Sequence, residues 1–139
     1  MASLTFLDTN VLAYLYDDGQ PDKQAKAARA VDSVEGAVIS TQVLLELFSV
    51  LTGKLHVMPR DAMTVIEDLM HLQVVPADVH LVREAITLTI ESEISQWDAM
   101  LVTAAARAGC DVLLTEDLNH GQVIAGVRIV NPFREVVRA

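Results

Sequence analysis

Asp8, Glu46, Asp98 and Asp117 lie far apart along the chain, yet each falls where a strand-like stretch ends or a helix-like one begins. In an open α/β sheet such positions converge on one crevice, outside the carboxyl ends of the strands. Carboxylates gathered there repel one another unless a divalent cation neutralises them, and hard cations such as Mg²⁺ take oxygen ligands. The expected chemistry is a metal site that acts on phosphate. Each acid also has a plainer reading. Asp8, with Thr9 and Asn10, offers helix-capping side chains, and Asp98, three residues after Ser95, resembles a capping box with aspartate in place of glutamate. Glu46 fits the solvated margin of a helix beside Val43 and Val50, and Asp117 fits a loop turn in which Glu116 competes for the same role. Two features favour a site: the four acids share one kind of position, and Asp98 stands on a stripe with Leu101, Val102 and Ala105, where an unpaired carboxylate is costly to bury.

The elements that must position these acids alternate in type. Leu4–Leu7 reads as a short buried strand running into a helix from about Val11 to Tyr16, and Asp17-Asp18-Gly19-Gln20-Pro21 reads as a turn before an alanine-rich helix over 22–34. A strand at 37–39 precedes a helix capped by Ser40 or Thr41, with Val43, Leu44, Leu47, Phe48 and Leu51 on its apolar face. A helix after Pro59 and a minimal strand at 74–75 follow. Residues 78–93 give another helix, for which the spacing predicts an apolar face of Val82, Ala85, Ile86, Thr89 and Ile90. Ser95 caps a helix over 96–108 closed by Gly109, and strands at 112–114 and 127–130 flank a loop around Asn119 and Gly121. Such alternation predicts a parallel sheet covered on both faces, joined by right-handed crossovers.

Composition narrows the field. At 139 residues the chain reads as one domain, 1–139, able to bury about 68–70% of its unfolded surface. A single cysteine, Cys110, precludes an intrachain disulfide, so the expected compartment is the cytoplasm. Met1 to Leu7 lacks the basic start of a leader, and no apolar run approaches the roughly 20 residues that span a bilayer. The formal charge of -9 argues against tight nucleic-acid binding by a broad basic surface, although metal ions at the acids would reverse the sign a phosphate meets. No Walker loop, G-x-G-x-x-G or G-x-S-x-G is present, and His56, His71, His80 and His120 have no zinc spacing.

Asp8-Thr9-Asn10 after a strand, Glu46 early in the helix after the second strand, Trp97-Asp98-Ala99, Leu114-Thr115-Glu116-Asp117-Leu118 with Gly121, and the ending Gly126 to Phe133 form one combination. It resembles the PIN-domain nucleases, and among them the VapC-type toxins of toxin–antitoxin pairs, from residue 4 to about 133. The resemblance implies a PIN-like three-layer α/β/α sandwich with a five-stranded parallel sheet in order 3-2-1-4-5. It implies Mg²⁺- or Mn²⁺-dependent cleavage of RNA, with Asp8, Glu46, Asp98 and Asp117 as the catalytic and metal-holding acids. Thr115 and Asn10 then support the site, with Thr9 and Glu116 as weaker supporting candidates. It also implies a homodimer neutralised by a VapB-type antitoxin whose arginine faces the carboxylates.

RNA binding needs cations, and Lys23, Lys26 and Arg29, at i, i+3 and i+6 of one helix, are the candidates, against the plainer reading of a solvated face. Two other functions compete. A Mg²⁺-dependent phosphatase or phospho-acceptor domain also places an aspartate at a strand end, but such phosphatases need a second acid two residues on, where this chain has Asn10, and receivers carry a late lysine, whereas the last lysine here is Lys54. A non-catalytic PIN-like binding module would use the acids only to hold a partner's arginine.

Overall fold

The computed structural model describes residues 3–134. Met1 and Ala2, part of the stretch expected to carry no leader, and residues 135–139, the end of the expected domain, lie outside the described residues. Apolar β-branched and leucine residues bounded by capping or turn residues form β1 (Leu4–Leu7), β2 (Gly36–Ser40), β3 (Gln73–Val75), β4 (Val112–Leu114) and β6 (Val127–Val130), and a two-residue strand β5 (Val123–Ile124) precedes the last. Between them lie α1 (Thr9–Tyr14), α2 (Pro21–Asp32), α3 (Thr41–Thr52), α4 (Pro59–Leu69), α5 (Val79–Ser92) and α6 (Gln96–Arg107). The sheet order is β3-β2-β1-β4-β6-β5. Apart from the antiparallel β5, every pairing is parallel, with Leu4 opposite Gly36 and Leu7 opposite Leu114.

The expected order of five parallel strands is present, with β6 as the fifth. β5 is an addition. It pairs with β6 through a turn in which Ala125 and Gly126 both have positive φ, the two-residue hairpin geometry usually supplied by Asn-Gly. The core is formed where the central strands meet the helices on both sides: Phe6, Val38, Ile39, Leu113 and Ile129 from the sheet, Leu47 from α3 and Val102 from α6 are all fully buried.

One expectation holds only in part. The helix over 78–93 is present as α5, and Ala85 of its expected face is buried, but it is buried together with Leu81, whereas Val82, Ile86 and Ile90 are exposed and Thr89 is half-buried. Two apolar stripes run along α5, and periodicity alone does not say which one packs inward, here against α6. Among the described residues, no helix is long and apolar enough to cross a membrane.

Strand order reverses between β1, whose chain continues to β2 on one side, and β4, whose chain continues to β6 on the other. A crevice opens at such a switch point, beyond the carboxyl ends of the strands. Asp8 follows β1 and Thr115 follows β4, so the two central strands deliver both residues to it.

Candidate active site

Asp8 ends β1 and is the N-cap of α1, with its Oδ1 accepting from the Thr9 backbone N–H. The capping role and the site role therefore coexist in one carboxylate. Only 4% of Asp8 is exposed. Its Oδ2 accepts from the Thr115 hydroxyl at 2.7 Å and from Asn10 Nδ2 at 3.3 Å. Its pKa is raised from 3.8 to about 6, chiefly by burial and to a smaller degree by the charges of Asp117 and Glu46, against the lowering effect of the Thr115 and Thr9 hydrogen bonds. Desolvation is thus the largest influence on Asp8.

Asn10 Nδ2 also donates to Asp117 Oδ2 at 2.9 Å, so one amide bridges two carboxylates that would otherwise repel. Thr115 acts from below. Its hydroxyl donates to Asp8 and accepts from the Asp117 backbone N–H at 3.1 Å, which ties the end of β4 to both acids. The Asp117 carboxyl is raised above 3.8 by partial withdrawal from water, then by the nearby charges of Glu116 and Asp98.

Glu46 enters from α3, whose N-terminus is capped by Ser40, the last residue of β2. It is half-buried, and its carboxylate accepts from the Thr9 hydroxyl at 3.0 Å and from Gln42, one turn earlier, at 2.8 Å. Asp8, Glu46 and Asp117 line one cavity of about 230 Å³ together with Thr9, Asn10 and Glu116. Asp98 does not line it, but stands in the first turn of α6 close enough to act on Asp117 electrostatically. Ser95 Oγ caps the Asp98 N–H at 3.1 Å. Among the described residues the Asp98 carboxylate returns no bond to Ser95, so only half of the capping box forms and the carboxylate stays available. Ser95→Ala is expected to cost about 1 kcal/mol by removing this cap, read as a lower urea midpoint; an unchanged midpoint would show that α6 needs no cap to present Asp98.

The three cations named from the sequence separate. Lys23 lies beside the cavity, where it bonds Glu116 Oε2 and Tyr14 Oη, each at 3.0 Å. Lys26 and Arg29 line a neighbouring groove. Residues without a sequence signal also join the site. Tyr14 donates to Glu116 at 2.8 Å and packs edge-on against Phe133, and Lys54 lines the cavity. Gln42 is the one with a legible cue, since it precedes Glu46 by four residues on a helix. Cys110 is buried, and burial pushes its thiol up to about 11, which fits packing better than nucleophilic chemistry.

The donors around the cavity are all oxygens, the set that suits Mg²⁺ or Mn²⁺. Asn10 Oδ1 is buried in this cluster with no hydrogen-bond partner among the described residues, and an acceptor in that state calls for a cation or its water. No three His, Cys, Asp or Glu side chains among the described residues converge closely enough to hold a metal ion by themselves. A Mg²⁺ held by one or two carboxylates and several waters fits this arrangement, because that ion gives up its water reluctantly.

Compared with known proteins, the chain matches the PIN domain over residues 5–125. Among curated protein sequences, none matches it. Similar solved structures include a toxin–antitoxin complex from Klebsiella pneumoniae, 19% identical, covering 92% of this chain and 97% of that one with a TM-score of 0.72. Another is VapC20 of Mycobacterium tuberculosis, a sarcin–ricin-loop-cleaving toxin, at 20% identity, coverage of 78% and 86%, and TM-score 0.63. A third is DNA-bound VapBC from Salmonella typhimurium, at 21% identity, coverage of 93% and 97%, and TM-score 0.62. At these identities the likeness is one of fold. With the family match running from β1 to the β5–β6 turn, and thus across the switch point that gathers Asp8, Asn10, Thr115 and Asp117, the chain belongs to the PIN-domain family.

Proposed function

We propose that this protein is a divalent-metal-dependent endoribonuclease of the VapC type, silenced by a cognate VapB-type antitoxin. The observation that carries the reading is Asp8, buried at the switch point, pushed up to about 6 and tied through Asn10 to Asp117 beside an unpartnered buried acceptor. That arrangement is costly for a fold and useful to a metal site. The structural neighbours include toxin–antitoxin complexes, which supports the same assignment of partner.

Asp8 and Asp117, with Glu46 and Asp98 near them, would hold Mg²⁺ or Mn²⁺. Such an ion, when bound, offsets charge on the scissile phosphate and makes hydroxide available from water near neutral pH. The chain's own residues prepare the place. Thr9 N–H and the Thr115 hydroxyl favour the ionised form of Asp8, and Asn10 keeps Asp8 and Asp117 side by side. Thr9 and Gln42 fix the Glu46 carboxylate, which can then hold a water and take its proton. Tyr14 and Lys23 fix Glu116 at the rim.

The acids also suit a basic inhibitor: a guanidinium in the cavity would take the place of the metal ion among the carboxylates. Dimerisation and a cytoplasmic location belong to the same reading. The test is cleavage of total cellular RNA by antitoxin-free protein with Mn²⁺ or Mg²⁺. Discrete fragments are expected, abolished by EDTA and by adding the antitoxin. Absence of cleavage by a folded protein that binds metal would favour a non-catalytic binding module instead.

A further inference from the structure

A wide groove lies beside the site, between α2 and the stretch of sheet formed by β1, β4 and β6. Its volume is about 910 Å³. Lys26 and Arg29 form the α2 wall, and Arg128 of β6 and Arg134 stand among the other lining residues. Four of the chain's ten lysines and arginines thus gather in one groove of a protein whose net charge is -9, and that concentration selects an anionic occupant. None of the four forms a salt bridge among the described residues. The one acid in the lining, Glu35, already accepts from the Ser3 backbone N–H at 3.1 Å.

The floor has a different character. Val112 and Val130 belong to adjacent strands, and each remains half-buried. Apolar floor and cationic rim together fit a single strand, whose bases can lie on the floor while its phosphates meet the cations. A duplex keeps its bases stacked inside and has no use for such a floor.

Lys23 links the α2 wall of the groove to the candidate site. Lys23, one turn before Lys26 on α2, bonds Glu116 and Tyr14, both of which line the acid cavity. Its ammonium also lies 5.5 Å from the ring centre of Phe133, the residue before Arg134. The helix and the carboxyl-terminal stretch therefore meet at Lys23, between cavity and groove.

We infer that this groove is a track for single-stranded RNA, holding the nucleotides that flank the phosphate at the acids. The inference rests on the ribonuclease reading and adds to it the path of the substrate. It also reconciles an acidic protein with RNA: the affinity comes from one narrow basic channel rather than from the net charge.

The experiment measures binding of a labelled oligouridylate to the full chain by fluorescence anisotropy, in EDTA at low salt so that no cleavage occurs. The double variant Lys26→Glu, Arg29→Glu and, on the sheet side, Arg128→Glu are each expected to weaken binding at least ~10-fold and to flatten its salt dependence. Arg60→Glu, the same charge change on the exposed start of α4, is expected to have little effect, and a blunt RNA duplex to bind more weakly than the single strand. Wild-type binding that is undetectable, unchanged in the groove variants, equally weakened by Arg60→Glu, or equal for the duplex would overturn the track. Groove variants that keep RNA affinity and lose only antitoxin binding would reassign the groove to a protein partner, which also overturns it. Cleavage with Mn²⁺ is read on the same proteins. Wild-type cleavage with unaltered binding in the variants removes the track and leaves the ribonuclease reading; absent wild-type cleavage removes that reading, whatever the groove binds.

Discussion

Asp8→Asn is expected to lower RNA cleavage by at least ~1000-fold, since several kcal/mol of metal-derived transition-state stabilisation depend on this carboxylate, while the metal-free protein becomes more stable. The two effects have one origin. In the folded chain Asp8 has a pKa of about 6 against 3.8 for the free carboxyl. Well below pH 3.8 the group is protonated folded or unfolded, and contributes no difference. As pH rises from about 4 to about 6, the unfolded chain releases its proton more readily than the folded one, so stability falls, and above 6 the deficit is constant. Two pKa units correspond to an upper limit of about 3 kcal/mol. An asparagine removes the buried charge but matches the hydrogen bonds imperfectly, so a gain of about 1–2 kcal/mol in EDTA at pH 7.5 is expected.

Urea unfolding of both proteins at pH 7.5 and pH 4 checks this, with RNA cleavage measured alongside. The variant should lead at pH 7.5 and lose that lead at pH 4. A variant that is inactive and also less stable at pH 7.5 would mean that Asp8 is held mainly as a helix cap, and that inactivity reflects a damaged α1. Retained cleavage would remove Asp8 from the chemistry altogether.

How far the sequence discloses this arrangement differs by element. The parallel strands were legible because each is a short apolar run closed by a capping or turn residue, such as Ile39-Ser40-Thr41 or Leu7-Asp8-Thr9. β5 was hidden because Ala125-Gly126 makes a turn with alanine in the left-handed region, where alanine carries a steric penalty. The face of α5 was misread because Val82, Ile86 and Ile90 form as regular a stripe as Leu81, Ala85 and Leu88, and only the packing partner decides between them. At the site, the placement of the acids could be read from strand ends, and their support from Asn10 and Thr115 entered only through resemblance to a family. The bonds of Tyr14 and Lys23 to Glu116 span 102 and 93 residues, and no local pattern announces a contact of that range. Local order encodes where the chain turns; the partners of a side chain follow only once the sheet has brought distant turns together.

Divalent cation should restore the stability that the acids remove, and the restoration should depend on pH. At pH 7.5 Asp8 is ionised and competent to bind, and saturating Mn²⁺ or Mg²⁺ is expected to raise stability by roughly 3 kcal/mol at one hundred times the dissociation constant. At pH 5, below the folded-state value of about 6, most Asp8 is protonated in the metal-free protein. A cation must then displace that proton, and its apparent affinity falls by about tenfold for each unit below the pKa. The unfolding midpoint, followed with and without Mn²⁺ from pH 5 to pH 8, should therefore show a metal-induced rise that grows through pH 6 and levels off near 7. Asp8→Asn should abolish most of the rise at every pH, because the variant lacks both the repulsion to be relieved and the carboxylate that relieves it by binding. A rise of equal size at pH 5 and pH 8, or one kept in full by Asp8→Asn, would place the cation elsewhere on this acidic chain and leave the Asp8–Asn10–Asp117 cluster without a metal.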